Sequence, residues 1–197
     1  MDQSDLDADP ERQIATWIDE ARAAGEPTPE AMALATASPA GHPSVRMVML
    51  RGLGPGLVFF TDYDSDKGHD LAENPVAAAM LHWWRPEHRQ VRVEGTVERV
   101  GQQESERYWA TRPPGARASA AASHQSRVVA SRDELEQRAA ALRRQYPEDA
   151  VPRPERWGGF RITPAVVELW QEGPDRLHDR IRYRLTDHRW TLERLSP

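Results

Sequence analysis

Ile14, Trp17, Ile18 and Ala21 fall at i, i+3, i+4 and i+7, the spacing of one apolar stripe on a helix packed against a core. Asp9-Pro10-Glu11 supplies an N-cap, a first-turn proline and an early carboxylate, so the helix begins there and ends near Gly25. From Ala31 the period shortens. Ala31 to Thr36, Val45 to Leu50 and Leu57 to Thr61 are apolar or β-branched runs separated by Pro39-Ala40-Gly41 and Gly52-Leu53-Gly54-Pro55-Gly56, which predicts strands joined by turns. The glycine cluster is no phosphate loop, because no Gly-Lys-Ser/Thr follows it and a strand comes next. Ser65 caps a short helix that stops before Asn74-Pro75, since the residue before a proline disfavours helical geometry.

Val76 to Trp84 and Gln90 to Val97 predict two more strands. In the second, Val91, Val93 and Val97 alternate with Arg92, Glu94, Thr96 and Glu98, the pattern of a half-buried antiparallel strand. Gln103 to Ala110 reads as a helix, and Thr111 to Ala130, rich in small residues, as a loop or short helix lying on the surface or on a ligand. Ser131-Arg132-Asp133-Glu134 is a capping box for a helix with Leu135, Ala139 and Leu142 facing inward, ended by Pro147, Pro152 and Pro154. The tail returns to strands at Gly159 to Ile162, Val166 to Trp170, Asp179 to Leu185 and Arg189 to Leu195, with a turn at Thr186-Asp187-His188. About seven strands with scattered helices, several joined by connections too short for crossovers, predict a mainly β fold with added helices (α+β), an antiparallel barrel.

Composition narrows the class. A chain of 197 residues suits a single domain, 1–197, with one core. The acidic residues 1–8 are expected to fray. A net charge of −5 gives no footprint for nucleic acid, which normally asks for a basic surplus. With no cysteine, disulfides, thiolate nucleophiles and cysteine-held metals are excluded. The N-terminus lacks a cationic segment followed by an apolar one, so a soluble, cytoplasmic protein is expected.

Nucleophilic triads find little support: no Gly-x-Ser-x-Gly occurs. His82 and His88 lack a third ligand, so no metal is expected, and no dinucleotide fingerprint occurs. What remains is a set of cations and amides at strand ends and loop starts. Arg46, Arg51, Lys67, Gln90, Arg112, Gln125, Ser126, Arg176, His178 and Arg180 suit an anion such as a phosphate. Arg176, His178 and Arg180 sit at i, i+2 and i+4 behind Trp170 and Gly173-Pro174. On an extended segment they would share one face, either solvated surface or one wall of an anion pocket.

The order of these groups carries a resemblance. Arg46-Met47-Val48-Met49-Leu50-Arg51, Phe59-Phe60-Thr61, Ser65-Asp66-Lys67-Gly68, Arg89-Gln90-Val91, Tyr108 with Arg112-Pro113, Gln125-Ser126-Arg127, Trp157-Gly158-Gly159-Phe160-Arg161 and the stretch Trp170 to Arg180 together resemble the pyridoxine/pyridoxamine 5′-phosphate oxidases, from about residue 10 to the C-terminus.

The resemblance implies an FMN-binding split β-barrel and a homodimer with FMN at the subunit interface, residues 157–197 forming the dimerisation and active-site part. Carried over residue by residue, it implies that Arg46, Thr61, Lys67, Gln125 and Ser126 hold the FMN phosphate and ribityl chain. Met47, Val48, Phe60, Gln90, Trp170 and Arg180 also belong to the cofactor site, some coming from the partner subunit. Arg51, Tyr108 and Arg112 would meet the substrate phosphate, with Arg176 and His178 as the catalytic pair near its ring. The implied reaction moves a hydride from C4′ of pyridoxamine or pyridoxine phosphate to the flavin, with oxygen as acceptor, giving pyridoxal phosphate and hydrogen peroxide.

The chain departs from the pattern at four places. Arg51 stands where lysine is usual, a planar fork in place of a point charge. Asp66 stands where a second phosphate-binding arginine is common, which puts a like charge near the phosphate. Ala116 replaces a serine donor, worth ~1–3 kcal/mol if its acceptor is left unpaired. The N-terminal extension is short. These departures keep two alternatives open: a related flavin oxidase acting on another ring compound, of the phenazine-biosynthesis type, and a flavin- or pyridoxal-phosphate-binding protein without turnover.

Overall fold

The computed structural model describes residues 1–146 and 150–197. Helix α1 spans Pro10–Ala23, and the Asp9 carboxylate accepts from the Glu11 N–H at 2.9 Å, so the cap expected from sequence forms. Its buried stripe is Ile14, Trp17, Ile18 and Ala21, and Trp17 meets Trp83 edge to face at 6.5 Å. Strands β1 (Ala31–Ala37), β2 (Pro43–Met49), β3 (Gly52–Leu53) and β4 (Leu57–Asp62) follow, then α2 (Asp66–Glu73), β5 (Val76–Trp83) and β6 (Arg89–Arg99). Helices α3 (Gln102–Thr111), α4 (Pro114–Ala122) and α5 (Arg132–Gln145) come next, and β7 (Trp157–Gln171), β8 (Asp179–Thr186) and β9 (Arg189–Arg194) close the chain.

Among the described residues nine strands form one sheet in the order β2-β1-β5-β6-β7-β4-β3, with β8 on β7 and β9 on β8. Every ladder is antiparallel, as the short connections predict. The sheet curls into a half-barrel around Ile14, Met32, Leu34, Leu57, Phe59, Leu81, Val91, Val93, Ile162 and Leu169, all fully buried. Each such side chain contributes on the order of 1.5–3 kcal/mol through burial.

Four expectations change. The tail strands expected at Gly159 to Ile162 and Val166 to Trp170 are one strand, β7. It passes Thr163-Pro164 through a register shift opposite Glu94 and Gly95, a bulge where a residue without an N–H is tolerated. The glycine-rich turn after β2 contains a short extra strand, β3, with Gly54 and Gly56 at φ of +85° and +73°, a conformation only glycine adopts freely. Residues 1–8, expected to fray, make contacts with the rest of the chain: Leu6 packs on the core, Tyr183 Oη donates to the Asp7 carbonyl at 2.8 Å and Arg194 to Asp2 Oδ1 at 3.1 Å. The acidic composition of the segment is matched by donors that β8 and β9 present to it. In α5, Ser131 accepts from the Glu134 N–H at 3.1 Å, but only Ala139 is fully buried while Leu135 and Leu142 are half-buried. Pro147, one of the residues expected to end that helix, lies outside the described residues. Among the described residues no helix is long and apolar enough to cross a membrane.

Candidate active site

A cleft of about 540 Å³ opens between edge strand β2, the end of β4, the start of α2, α3 and the segment after α4; its lining includes Arg46, Met47, Val48, Arg51, Phe60, Thr61, Asp66, Lys67, Tyr108, Arg112, Gln125 and Ser126. Strand alternation turns Arg46 and Val48 toward β1 while Val45 and Met47 stay exposed, at 69% and 63%. Arg46 is fixed from three sides: Nη1 donates to Thr36 Oγ1 at 2.8 Å and to the Leu34 carbonyl at 3.2 Å, and Nη2 donates to Ser44 Oγ at 2.8 Å. Thr36 in turn donates to Asp70 at 2.6 Å. Burial pulls the Arg46 pKa down, against the opposing charges of Asp70 and Asp66.

Lys67 is buried at the first turn of α2. Its Nζ donates to Thr61 Oγ1 at 3.2 Å, Ser65 Oγ at 3.1 Å and Gln125 Oε1 at 2.9 Å, none of them a carboxylate. Burial, followed by repulsion from Arg46, lowers its pKa to about 8. Ser65 caps α2 through the Gly68 N–H at 3.3 Å. A methyl group at Gly68 would sit 2.1 Å from the Tyr63 carbonyl oxygen, so glycine lets α2 seat against the end of β4. Ser126, at φ +70°, accepts from the Asp66 N–H at 3.3 Å.

Along the cleft, Tyr108 stacks on Phe60 at 4.0 Å and Phe60 on Trp157 at 5.6 Å. Arg112 lies over Trp157 at 4.8 Å and donates to the Ala116 carbonyl at 3.0 Å. Its Nε is buried with no partner among the described residues, and burial lowers its pKa, with Arg51 adding repulsion. Arg46, Arg51, Lys67 and Arg112 thus line one space together with a single lining acid, Asp66, an arrangement suited to a ligand with anionic groups.

Gln90, Trp170, Arg176, His178 and Arg180 do not line this cleft. Gln90, Trp170 and Arg180 lie side by side across β6, β7 and β8, where Gln90 pairs with Trp170 and Trp170 with Arg180. Trp170 lies 4.8 Å from the His178 ring, and the Gly173 N–H donates to His178 Nδ1 at 3.3 Å. Arg180 is already paired, its Nη2 2.8 Å from Glu168 Oε1. The single extended face expected for Arg176, His178 and Arg180 is not formed: Pro174–Arg176 is a 3-10 turn with Asp175 and Arg176 at φ of +54° and +64°, and β8 begins only at Asp179. Gly173-Pro174 starts a turn that outweighs the period-two pattern.

Three contributors escaped the sequence reading. Thr36 and Asp70 support Arg46, and Asp62 shapes the turn into α2 by accepting from the Asp64 N–H at 2.9 Å; Asp at the start of a turn was the available signal. His82 and His88 pair through their Nε2 atoms at 2.8 Å, with Glu172 Oε2 3.0 Å from His88 Nδ1. Among the described residues no group of three or more candidate ligands is placed to hold a metal.

Comparison with known proteins adds the following. Residues 18–146 match the family model described as pyridoxamine 5′-phosphate oxidase, and residues 157–197 match the one described as pyridoxine 5′-phosphate oxidase C-terminal dimerisation region. The chain is 50% identical over 199 residues to the pyridoxine/pyridoxamine 5′-phosphate oxidase of Cupriavidus pinatubonensis, covering 100% of this chain and 93% of the relative. It is 51% identical over 193 residues to that of Salinibacter ruber, covering 96% and 89%. Among solved structures it is similar to PhzG from Burkholderia lata 383 in complex with tetrahydrophenazine-1-carboxylic acid, with TM-score 0.93, 32% identity and coverage of 98% and 95%. An FMN-binding protein from Nostoc punctiforme, related to pyridoxamine 5′-phosphate oxidase, shares the fold at TM-score 0.75 and 20% identity, covering 93% and 95%.

Proposed function

The chain belongs to the pyridoxine/pyridoxamine 5′-phosphate oxidase family, and on that premise we propose that it is an FMN-dependent oxidase converting pyridoxamine or pyridoxine 5′-phosphate to pyridoxal 5′-phosphate, with oxygen giving hydrogen peroxide. The observation that carries the FMN assignment is Lys67: a buried ammonium whose hydrogen-bond partners are three neutral oxygens wants a counter-anion, because an unpaired buried charge is costly. A phosphate fits there, with Arg46, Thr61, Gln125 and Ser126 around it. Flavin bound in the cleft supplies the hydride-accepting and oxygen-reducing chemistry.

The protein's own part is positioning. Arg51, Tyr108 and Arg112 line the same cleft, where two guanidinium groups suit the substrate phosphate. Val48 and Phe60 give the cleft apolar lining, and Met47, also in that lining, is exposed. Trp170, Arg176 and His178 lie outside that lining, and we assign them to the neighbouring site of a homodimer; the match of 157–197 to a dimerisation region supports this. Arg176 and His178 then orient the substrate ring, and the Gly173 N–H on Nδ1 leaves Nε2 as the His178 atom free to face substrate. Arg180, held by Glu168, acts more as a brace beneath Trp170 than as a free cation.

A second reading, oxidation of another ring compound, has the likeness to PhzG in its favour, but the higher identity to the pyridoxine/pyridoxamine 5′-phosphate oxidases favours the first. The test is direct: purified protein should carry FMN absorption and, with pyridoxamine phosphate in air, form pyridoxal phosphate and peroxide. Yellow protein with no turnover of either vitamer overturns the substrate assignment.

A further inference from the structure

Arg156 lies outside the cleft, in the short segment before β7, yet it touches both chain segments that face Lys67. Its Nε donates to Asp62 Oδ2 at 2.9 Å, and the pair is well shielded, with side-chain exposures of 20% and 5%. Its Nη2 donates to the carbonyls of Ala121 at 2.8 Å and Ser123 at 3.0 Å, the last turn and cap of α4. The Arg156 carbonyl accepts from the Tyr63 N–H at 2.6 Å.

Each contact leads to the anion-facing groups. Asp62 ends β4 one residue after Thr61, and its carbonyl accepts from Ser65 Oγ at 2.6 Å, which sets the turn that delivers Ser65, Asp66 and Lys67. On the other side, Ser123 is two residues before Gln125, whose Oε1 accepts from both Thr61 and Lys67. The segment after α4 is otherwise exposed and its small residues give it little core of its own. A guanidinium that spans a carboxylate and two helix-terminal carbonyls fixes the distance between these two segments, and a cation at a helix C-terminus is favoured by the helix dipole.

We propose that Arg156 is a positioning residue for FMN: a staple between Asp62 and the C-terminal carbonyls of α4 that holds Gln125 and Ser126 beside Lys67 at the phosphate site. It rests on the FMN reading above. Lysine at this position keeps the charge but offers one point in place of a fork.

The test is a flavin-fluorescence titration of apoprotein from wild type, Arg156→Gln and Arg156→Lys, with kcat at saturating FMN and apoprotein Tm measured alongside. Arg156→Gln should raise the FMN dissociation constant by roughly tenfold or more, the scale of losing one or two charge-assisted hydrogen bonds, while kcat at saturating FMN stays close to wild type. Arg156→Lys should fall between the two, and it carries the test by itself if the glutamine variant does not fold. Unchanged FMN affinity in the folded variants, with only Tm lowered, overturns the staple. A wild-type protein that binds no FMN overturns the cofactor assignment instead, so the two failures are distinct.

Discussion

Lys67 Nζ lies 2.9 Å from Oε1 of Gln125, 58 positions further along the chain. The amide oxygen is turned toward the ammonium and also accepts from Thr61 at 2.8 Å. Three residues from β4, α2 and the segment after α4 therefore form a closed polar ring whose charge is positive and unneutralised by hydrogen-bonded acid.

That ring makes FMN retention pH-dependent. With its pKa lowered to about 8 by burial, Lys67 is charged at neutral pH and loses its proton above that value in the empty site. A phosphate dianion favours the charged form, so FMN affinity should weaken as pH rises above 8, by up to about tenfold per pH unit until the pKa of the bound form is passed. In the apoprotein the sign is opposite: the depressed pKa contributes stability fully above the unfolded value near 10.5, and this is lost as pH falls through 8. FMN titrations between pH 7 and 10 should show the decline in wild type, and Lys67→Met should bind weakly and lose the slope.

Asp66 is the acidic intruder in this region. As the first residue of α2 it favours the helix, a contribution of about 0.3–1 kcal/mol, but it places a negative charge beside the proposed phosphate. Asp66→Arg should therefore tighten FMN binding several-fold, roughly 1 kcal/mol for a favourable exposed charge contact, while lowering apoprotein Tm slightly. Equal or weaker binding in Asp66→Arg would show that the carboxylate does not face the cofactor phosphate.

The fold was legible where pattern and burial coincide. Val91, Val93 and Val97 alternate in sequence and are all buried in β6, and the Ser65 and Ser131 caps sit where they were expected. It was illegible where tertiary partners decide. Thr163-Pro164 looks like a strand break until Gly95 is found opposite it, close enough that a Cβ there would lie 2.0 Å from the Thr163 carbonyl oxygen. The cleft residues were readable through the family resemblance. The turn that breaks the Arg176, His178, Arg180 alternation needed its two left-handed residues to be seen.

His82 carries a second pH dependence. Burial first, and then the neighbouring His88, lower its pKa below 6.5, with Glu26 opposing. A depressed folded-state pKa means that the unfolded chain binds more protons in this window, so stability is complete above pH 6.5 and is lost as pH falls through the folded value. Thermal melts from pH 8 to pH 5 should show wild type losing more Tm than His82→Gln. Parallel curves for the two proteins would mean that the imidazole pair does not resist protonation.

The separation of the two residue groups gives the sharpest test of the dimeric site. Lys67 lines the cleft, whereas Arg176 is exposed and lies outside that lining. Lys67→Ala should lose FMN while Arg176→Ala keeps FMN and loses turnover. If each site takes Lys67 from one subunit and Arg176 from the other, a mixed dimer of these two variants holds one site with both defects and one with neither. Random reassociation makes about half of the dimers mixed, so a mixture of two nearly inactive proteins should recover roughly a quarter of wild-type activity in a two-fold dimer. A site built within one chain would leave every site in the mixture with one defect, and no activity would return.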